Sequence, residues 1–450
     1  MRKNSWKSLT AATISVVLAL TIAPVGFANP EHTTSDPAVD ATVEPVECTA
    51  NKAMSQKTLG KFHAYVINVD TGEVLVDVRG TELTPSASVI KTLTAVAALQ
   101  KLPAEYRATT QVLASPADPT TLVLKGGGDF TLSRLGPGES SVYSKPPRIR
   151  QLARTALAQL PGETPINTIV LDDSFFSGQT WNPDWPRSYR TLGYVSHITS
   201  IQADGDRIQP NRLASNYSFR RGKDPVQTVG ESFRTLLGNR AVSAQLVRGT
   251  APADAVVISQ VQSQDMRQSW LGHMLTHSDN TGAEFIARHA AKAAGYEASI
   301  DGANRVIKQS LRELGLRPRT FVIRDASGLS NNNRVHSKLL AELMVKVAKA
   351  ENGLDALTQW MPIAGQTGTL RYRFQGKSAI ARGNVIAKTG YIPGLYGLSG
   401  IVNTADGSRL AFAVFARADR ENGLSVTYTA QGAIDRVVTR FYTCGASLTQ

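Results

Sequence analysis

Pro85-Ser86-Ala87-Ser88-Val89-Ile90-Lys91, running on into Thr92-Leu93-Thr94-Ala95-Val96-Ala97-Ala98-Leu99, is the stretch on which the reading of this chain turns. Pro85 and Ser86 read as a helix start, and the apolar spacing behind them puts Ile90, Leu93 and Ala97 on one helical face. Ser88 then falls in the first turn with Lys91 one turn later, so the lysine amine stacks over the serine hydroxyl. A serine hydroxyl attacks poorly until a neighbour takes its proton, and a lysine can take it only when burial or another cation lowers its pKa. A second cation is therefore expected elsewhere in the chain. Alone the pattern is weak, since S-x-x-K arises by chance about once or twice at this length.

Two more short motifs follow in order. Ser278-Asp279-Asn280 is expected as a tight turn between helical runs at Ser269–Thr276 and Thr281–Ala294, with Gly295 as a C-cap. Lys388-Thr389-Gly390 sits on the first of three alternating runs, Asn384–Thr389, Tyr396–Asn403 and Arg409–Ala416, separated by Pro393-Gly394 and Asp406-Gly407. Each motif would arise in roughly one chain in ten, and both in this order behind an S-x-x-K far less often. With an early hairpin, Phe62–Val69 and Glu73–Val78 around Asp70-Thr71-Gly72, the late strands make a five-stranded sheet drawn from both ends of the chain. Everything between is inserted.

The set resembles the S-x-x-K, S-x-N and K-T-G motifs of penicillin-binding proteins and serine β-lactamases. Gly126-Gly127-Gly128-Asp129, Leu171-Asp172-Asp173-Ser174-Phe175-Phe176, Asp325-Ala326-Ser327-Gly328-Leu329-Ser330, Ala364-Gly365 and Gly368-Thr369-Leu370-Arg371 are similar to one branch. That branch is the D-alanyl-D-alanine carboxypeptidases and endopeptidases of the low-molecular-mass class C penicillin-binding proteins, and the likeness runs from about Phe62 to Tyr442. It implies an α+β fold: a β-lactamase/transpeptidase-like domain, with a five-stranded antiparallel sheet flanked by helices, and an inserted α/β domain. The implied activity is cleavage of the terminal D-Ala-D-Ala bond of peptidoglycan stem peptides, and of DD-cross-links, through a serine acyl-enzyme that β-lactam antibiotics also form. A serine β-lactamase and a non-catalytic β-lactam sensor or wall-binding protein are the alternatives.

Acyl transfer to serine needs a nucleophile, a base, an oxyanion hole and an anchor for the substrate carboxylate. Ser88 attacks, Lys91 accepts its proton, kept neutral by burial and by the charge of Lys388, and Ser278 relays a proton to the leaving D-alanine. Asn280 is expected to hydrogen-bond the substrate amide, Lys388 and Thr389 to hold the terminal carboxylate, and Gly390 to let an extended substrate lie along the strand. The N–H groups of Ser88 and Tyr391 would form the oxyanion hole. In the branch resembled, the insertion shapes the pocket for the third stem residue; a zwitterionic side chain there needs one anion and one cation, with Asp172 and Arg371 as the candidates. Phe130 stands where the branch usually has Pro, Thr367 where it has Asp, and Tyr391 where Thr or Ser is common.

The 450 residues carry a formal charge of +13, with 42% hydrophobic and 19% charged residues, which suits a globular protein of more than one domain. The cations are scattered and no basic run interleaves with aromatics, so nucleic acid is not expected as a partner. Loose association with anionic wall polymers or a membrane surface is. Arg2, Lys3 and Lys7, an apolar run from Leu9 to Ala23, and Gly26-Phe27-Ala28 read as a signal peptide over 1–28, which places the mature protein outside the cytoplasm, in the wall or periplasm. Residues 29–52 read as a flexible leader, 53–104 and 263–450 as the catalytic domain, and 105–262 as the inserted domain. Within the insert, Gln111–Ala114, Thr121–Leu124 and Ile166–Leu171 read as strands, Ile149–Leu160 as a helix, and Asp224-Pro225 starts another through Leu237. Residues 201–223 are polar and irregular, with little to bury, and read as the stub of a second nested domain. Gly126-Gly127-Gly128-Asp129 lacks the tail and spacing of a phosphate cradle and reads as a backbone turn. His273 and His277 lie one turn apart without a third ligand and read as ordinary helix residues, so neither metal nor cofactor is expected. Cys48 and Cys444 are the only cysteines, and in an exported chain a disulfide between them is expected, two unpaired thiols being the alternative.

Overall fold

The structure, a computed structural model, describes residues 48–211, 220–419 and 421–450. The expected signal peptide and the leader up to residue 47 lie outside the described residues.

The early hairpin forms from Lys61–Asn68 and Val74–Val78, and its turn is built by Asn68, whose Oδ1 accepts from the N–H groups of Asp70 and Thr71 at 3.0 and 3.3 Å. The late strands are Val385–Ile392, Leu395–Asn403 and Arg409–Arg417, paired antiparallel with Leu395 opposite both Ile392 and Arg417. The hairpin closes onto the last of them, where the Val69 N–H donates to the Arg409 carbonyl at 2.9 Å. One five-stranded sheet thus joins residues more than 300 apart in the chain. Its two hydrophobic faces carry the C-terminal helix Thr429–Cys444 on one side and Ser337–Ala348 on the other.

Ala87–Ile90 form a 3₁₀ turn that leads into the helix Lys91–Lys101. The spacing predicts one buried face; instead every residue from Lys91 to Leu99 is buried, because this helix is surrounded, with Asn280–Ala293 and Ile300–Glu313 packed on it. Small Ala and Thr side chains allow the close approach. The threonine hydroxyls are satisfied by main-chain carbonyls, Thr92 to Val89 at 2.9 Å and Thr94 to Ala326 at 2.7 Å. Lys91 is the one charge in that wholly buried stretch.

The insert holds a second sheet. Its spatial order is Gln245–Arg248, Thr168–Asp172, Asp118–Lys125, Thr109–Ser115, Val256–Gln262; the first three run parallel, and Thr109–Ser115 is antiparallel to both neighbours. Ile149–Gln159 and Pro225–Leu236 are the crossover helices, and Leu122, Leu124, Leu152, Val229 and Phe233 form a core under them. The two outer strands escape sequence reading, since both are edges with exposed valines rather than clean alternation.

Two expectations are corrected here. The leader was expected to stay loose to residue 52, yet Cys48–Thr49 pairs with Leu448–Thr449, Ala50 is buried, and Cys48 is bridged to Cys444 with a Cα–Cα distance of 5.3 Å. A covalent tie and a strand pairing hold it where its own hydrophobicity would not. The polar segment 201–223 was expected to bury little, yet Asp204, Asp206, Arg207 and Arg221 are all buried. Arg221 Nη1 donates to the Gly205 carbonyl at 2.7 Å, and Arg134 Nε lies 3.3 Å from Asp204 Oδ2. Charge that looks like solvent-facing composition is here internal packing. Among the described residues, no helix is long and apolar enough to cross a membrane.

Candidate active site

Three elements converge at Ser88. Its turn is held from behind by the Asp325–Ser330 loop, where Gly328 sits at φ +86° and a Cβ would lie 2.0 Å from the Ala87 carbonyl oxygen. It is held from the side by the strand Val385–Ile392: a Cβ at Gly390 would meet Val89 Cγ2, the Ser86 carbonyl and Ala87 Cβ at 3.0 to 3.2 Å. Gly390 was expected to make room for substrate. Its bare Cα also lets the strand lie against the serine turn.

Lys91 Nζ lies 2.9 Å from Ser88 Oγ, 2.7 Å from Asn280 Oδ1 and 2.5 Å from the Ser327 carbonyl. Burial pulls its pKa down to about 7, against the opposing pull of the Asp325, Asp279 and Glu284 carboxyls. Lys388 Nζ lies 2.9 Å from Ser278 Oγ and 2.9 Å from its neighbour's carbonyl, at Thr389. Burial, and then the charge of Lys91, push Lys388 well below the usual lysine range. Burial lowers Lys91 as expected, and burial with repulsion between the two lysines lowers Lys388. The charge of one buried ammonium disfavours charge on the other.

The second motif takes its shape from backbone strain. Ser278 ends the helix Gly272–His277 in the left-handed region, φ 59° and ψ 39°, at a cost of about 1 to 3 kcal/mol for a residue other than glycine. Asp279, buried, caps the next helix by accepting from the Gly282 N–H at 3.2 Å, and its other oxygen lies 3.3 Å from His273 Nε2 and 3.4 Å from the Tyr143 hydroxyl. The His273 and Arg221 sides together hold its carboxyl far below the usual carboxylate range despite burial. Asn280, expected to hydrogen-bond the substrate amide, lines the cleft; its Oδ1 accepts from Lys91 Nζ and its Nδ2 donates to the Tyr194 carbonyl at 3.0 Å, which ties the site to the insert.

Ser88, Ser278, Asn280, Thr389, Gly390 and Tyr391 line one cleft of about 570 Å³. Tyr189, Leu192 and Tyr194 from the insert form one wall, and Tyr391, Ile392 and Tyr396 the other, with the Tyr391 and Tyr396 rings 4.8 Å apart. Thr369 Oγ1 sits 2.7 Å from Thr389 Oγ1 on the cleft floor.

Asp172 and Arg371 are not brought together there. Asp172 is buried at a strand end; its Oδ1 accepts from Ser174 N and Oγ at 3.1 and 2.6 Å and its Oδ2 from Ala251 N at 3.1 Å, so the carboxylate closes a turn. Arg371 lies over the Tyr372 ring at 5.5 Å, outside the cleft. The cleft arginine is Arg373, clamped to Asp435 at 2.7 to 3.2 Å. The departures from the branch pattern are absorbed locally: Phe130 packs among Tyr143, Trp270 and Phe285, and Thr367 Oγ1 accepts from the Ile363 N–H at 2.9 Å.

Sequence reasoning assigned no role to Asp325, Ser327 and Glu284. Asp325 accepts from Gly328 N, Ser330 N, Asn333 Nδ2 and Trp185 Nε1 at 2.6 to 2.8 Å and so fixes the loop whose Ser327 carbonyl touches Lys91. Glu284, raised to about 8 by burial and then by the Asp325 charge, accepts from Ala326 N at 3.0 Å on the same loop. The signal available was the Asp-Ala-Ser-Gly-Leu-Ser run itself. It reads as a loop, and its partner lies 42 residues back.

The fold is shared with a penicillin-binding protein. Penicillin binding protein 4 (dacB) from Haemophilus influenzae has a similar structure, with a TM-score of 0.70 at 20% identity over 88% of this chain and 98% of that one. Carboxypeptidase DacB of Mycolicibacterium smegmatis is 31% identical over 99% of both chains, and a carboxypeptidase of Mycobacterium tuberculosis is 31% identical over 91% of this chain and 87% of that protein. The model of the D-Ala-D-Ala carboxypeptidase 3 (S13) family matches residues 47–218 and 209–440, and the chain belongs to that family. It is a hydrolytic enzyme, a D-Ala-D-Ala carboxypeptidase of mixed α+β fold.

Proposed function

We propose that the chain is a serine DD-peptidase that cleaves the D-Ala-D-Ala terminus of peptidoglycan stem peptides through an acyl-enzyme on Ser88, and that β-lactams acylate the same serine. The observation that carries this reading is Lys91 Nζ at 2.9 Å from Ser88 Oγ with its pKa near neutrality. Ser88 attacks the scissile carbonyl as Lys91 takes its proton; Ser278, 2.9 Å from Lys388, passes a proton to the departing D-alanine amine. The oxyanion would sit between the N–H groups of Ser88 and Tyr391. The terminal carboxylate, held by Lys388 and Thr389, favours the proton on Lys388 over the one on Lys91. Substrate would thereby release Lys91 as the base, which suits a pair that shares charge reluctantly.

In this reading residues 53–104 and 263–450 form the catalytic domain, and 105–262 the inserted one, which contributes Tyr189, Leu192 and Tyr194 to the cleft wall. Export behind a signal peptide cleaved near Ala28 would bring the enzyme to its polymer, and its net charge, which falls from +13 to +10 with the loss of Arg2, Lys3 and Lys7, favours anionic wall surfaces. The test is covalent labelling. Labelled penicillin should remain on the wild type after denaturation and map to Ser88, and Ser88→Ala should lose label and D-alanine release by at least about 1,000-fold. Label retained by Ser88→Ala would end the assignment.

A further inference from the structure

The cleft does not end at Arg373. Arg373 and Gln431 line both it and a second groove of about 610 Å³ that lies between the Tyr372–Ser378 segment and the start of the C-terminal helix. Three aromatic residues line only this second groove; Phe374 is buried, while Tyr372 and Tyr428 are 80% and 78% exposed, the highest values of any large hydrophobic in the described residues. A tyrosine ring left open to water is apolar surface whose burial would be favourable. Two of them lining one groove are a surface with something to cover.

The chemistry of the groove narrows what that is. Its one acid, Asp435, is spent on Arg373 and on the Phe374 N–H at 3.1 Å. Arg436 is engaged by Gln56. What remains to a ligand is the neutral donors and acceptors of Gln375, Ser378 and Gln431, the cations of Lys377 and of Arg436, whose partner Gln56 is neutral, and two flat rings. Arg371 stacks on Tyr372 at 5.5 Å, which leaves the ring oriented and its other face open. A basic peptide would find no free acid here, and the two cations would repel it. An uncharged amino-sugar fits better: one face of a pyranose ring is a patch of C–H groups that packs on an aromatic ring, while its hydroxyl and acetamido groups hydrogen-bond at the edges.

We propose that this groove binds the glycan of the polymer, an N-acetylated amino-sugar unit stacked on Tyr372 and Tyr428, while the stem lies in the adjoining cleft. The inference rests on the reading of the cleft as a stem-peptide site. It assigns the enzyme a preference for stems still attached to their sugar.

The experiment compares D-alanine release from a free stem pentapeptide and from the same stem on its disaccharide. The wild type should show a KM about 3- to 10-fold lower for the disaccharide form, the size of one or two stacking contacts. Tyr372→Ala and Tyr428→Ala should each lose most of that advantage and keep free-pentapeptide kinetics and penicillin labelling, whereas Tyr372→Phe and Tyr428→Phe should retain it. Independently, a chitin trisaccharide added to the wild type should shift the ring resonances of the two tyrosines. Equal KM for the two substrates in the wild type overturns the proposal. So does an equal loss on both substrates in the alanine variants, which would make the groove a peptide subsite, and so does an absence of trisaccharide shifts. Those shifts judge the glycan groove alone, and D-alanine release from the free stem judges the catalytic reading alone.

Discussion

Two groups of buried charge in this molecule are built oppositely. Around Ser88 the protein buries two cations, Lys91 and Lys388, each within 3 Å of a serine hydroxyl, and the surroundings pull both lysines down. Around residues 204–221 it buries Asp204, Asp206, Arg207 and Arg221 with the signs matched, and the groups are spent on main-chain partners: Arg221 on the Gly193 and Gly205 carbonyls, Asp204 on the Arg134 N–H. Asp206 shows the cost of such packing, its carboxyl raised to about 7 by burial even beside arginines. Burial of charge is thus no mark of catalysis in itself. What separates the two is that the lysine pair meets residues that line an open cleft, while the arginine cluster lines none of that cleft.

If that contrast is right, damage to each group should read out differently. The largest effect is expected at Lys91. Lys91→Arg places a permanently charged group beside Ser88 and should slow penicillin acylation by about 100- to 10,000-fold. In the wild type the acylation rate should rise with pH and reach half its plateau near pH 7, since the base must lose its proton at the pKa of about 7. A rate flat from pH 5.5 to 8.5, measured by stopped-flow or quenched labelling, would remove Lys91 from the role. Lys388→Arg should be severe as well, although it keeps the charge, because the slot is fully buried.

At the arginine cluster the reverse is expected. Arg221→Met should cost about 3 to 5 kcal/mol in urea denaturation by stranding its buried acidic neighbours, yet the folded fraction should be acylated within about threefold of the wild-type rate. A large acylation defect without loss of stability would show that this cluster governs the second motif through Asp279. Smaller still, replacing Cys48 and Cys444 together by Ser should lower stability by about 2 to 4 kcal/mol without altering D-alanine release, since the bridge ties the chain ends beside the sheet and touches no cleft residue.

Local pattern carried much of this protein. The hairpin, the three late strands and the helices around Ser278 follow from period-2 and period-3.6 spacing, and the three motifs could be placed on their turns and strand because each sits at a boundary that its neighbours announce. The disulfide needed only two cysteines and a leader that reads as exported. Pattern cannot say which polar side chains go inside, because that depends on partners distant in the chain: Lys91 meets Asn280 and Ser327, and Arg134 meets Asp204. Asp172 and Arg371 lie in stretches similar to the branch and still point elsewhere, one into its own turn and one onto Tyr372. The sequence alone determined the elements and the chemistry they bear; tertiary structure alone decided which charges share a site and their protonation, since burial and through-space fields do not exist until the chain has closed on itself.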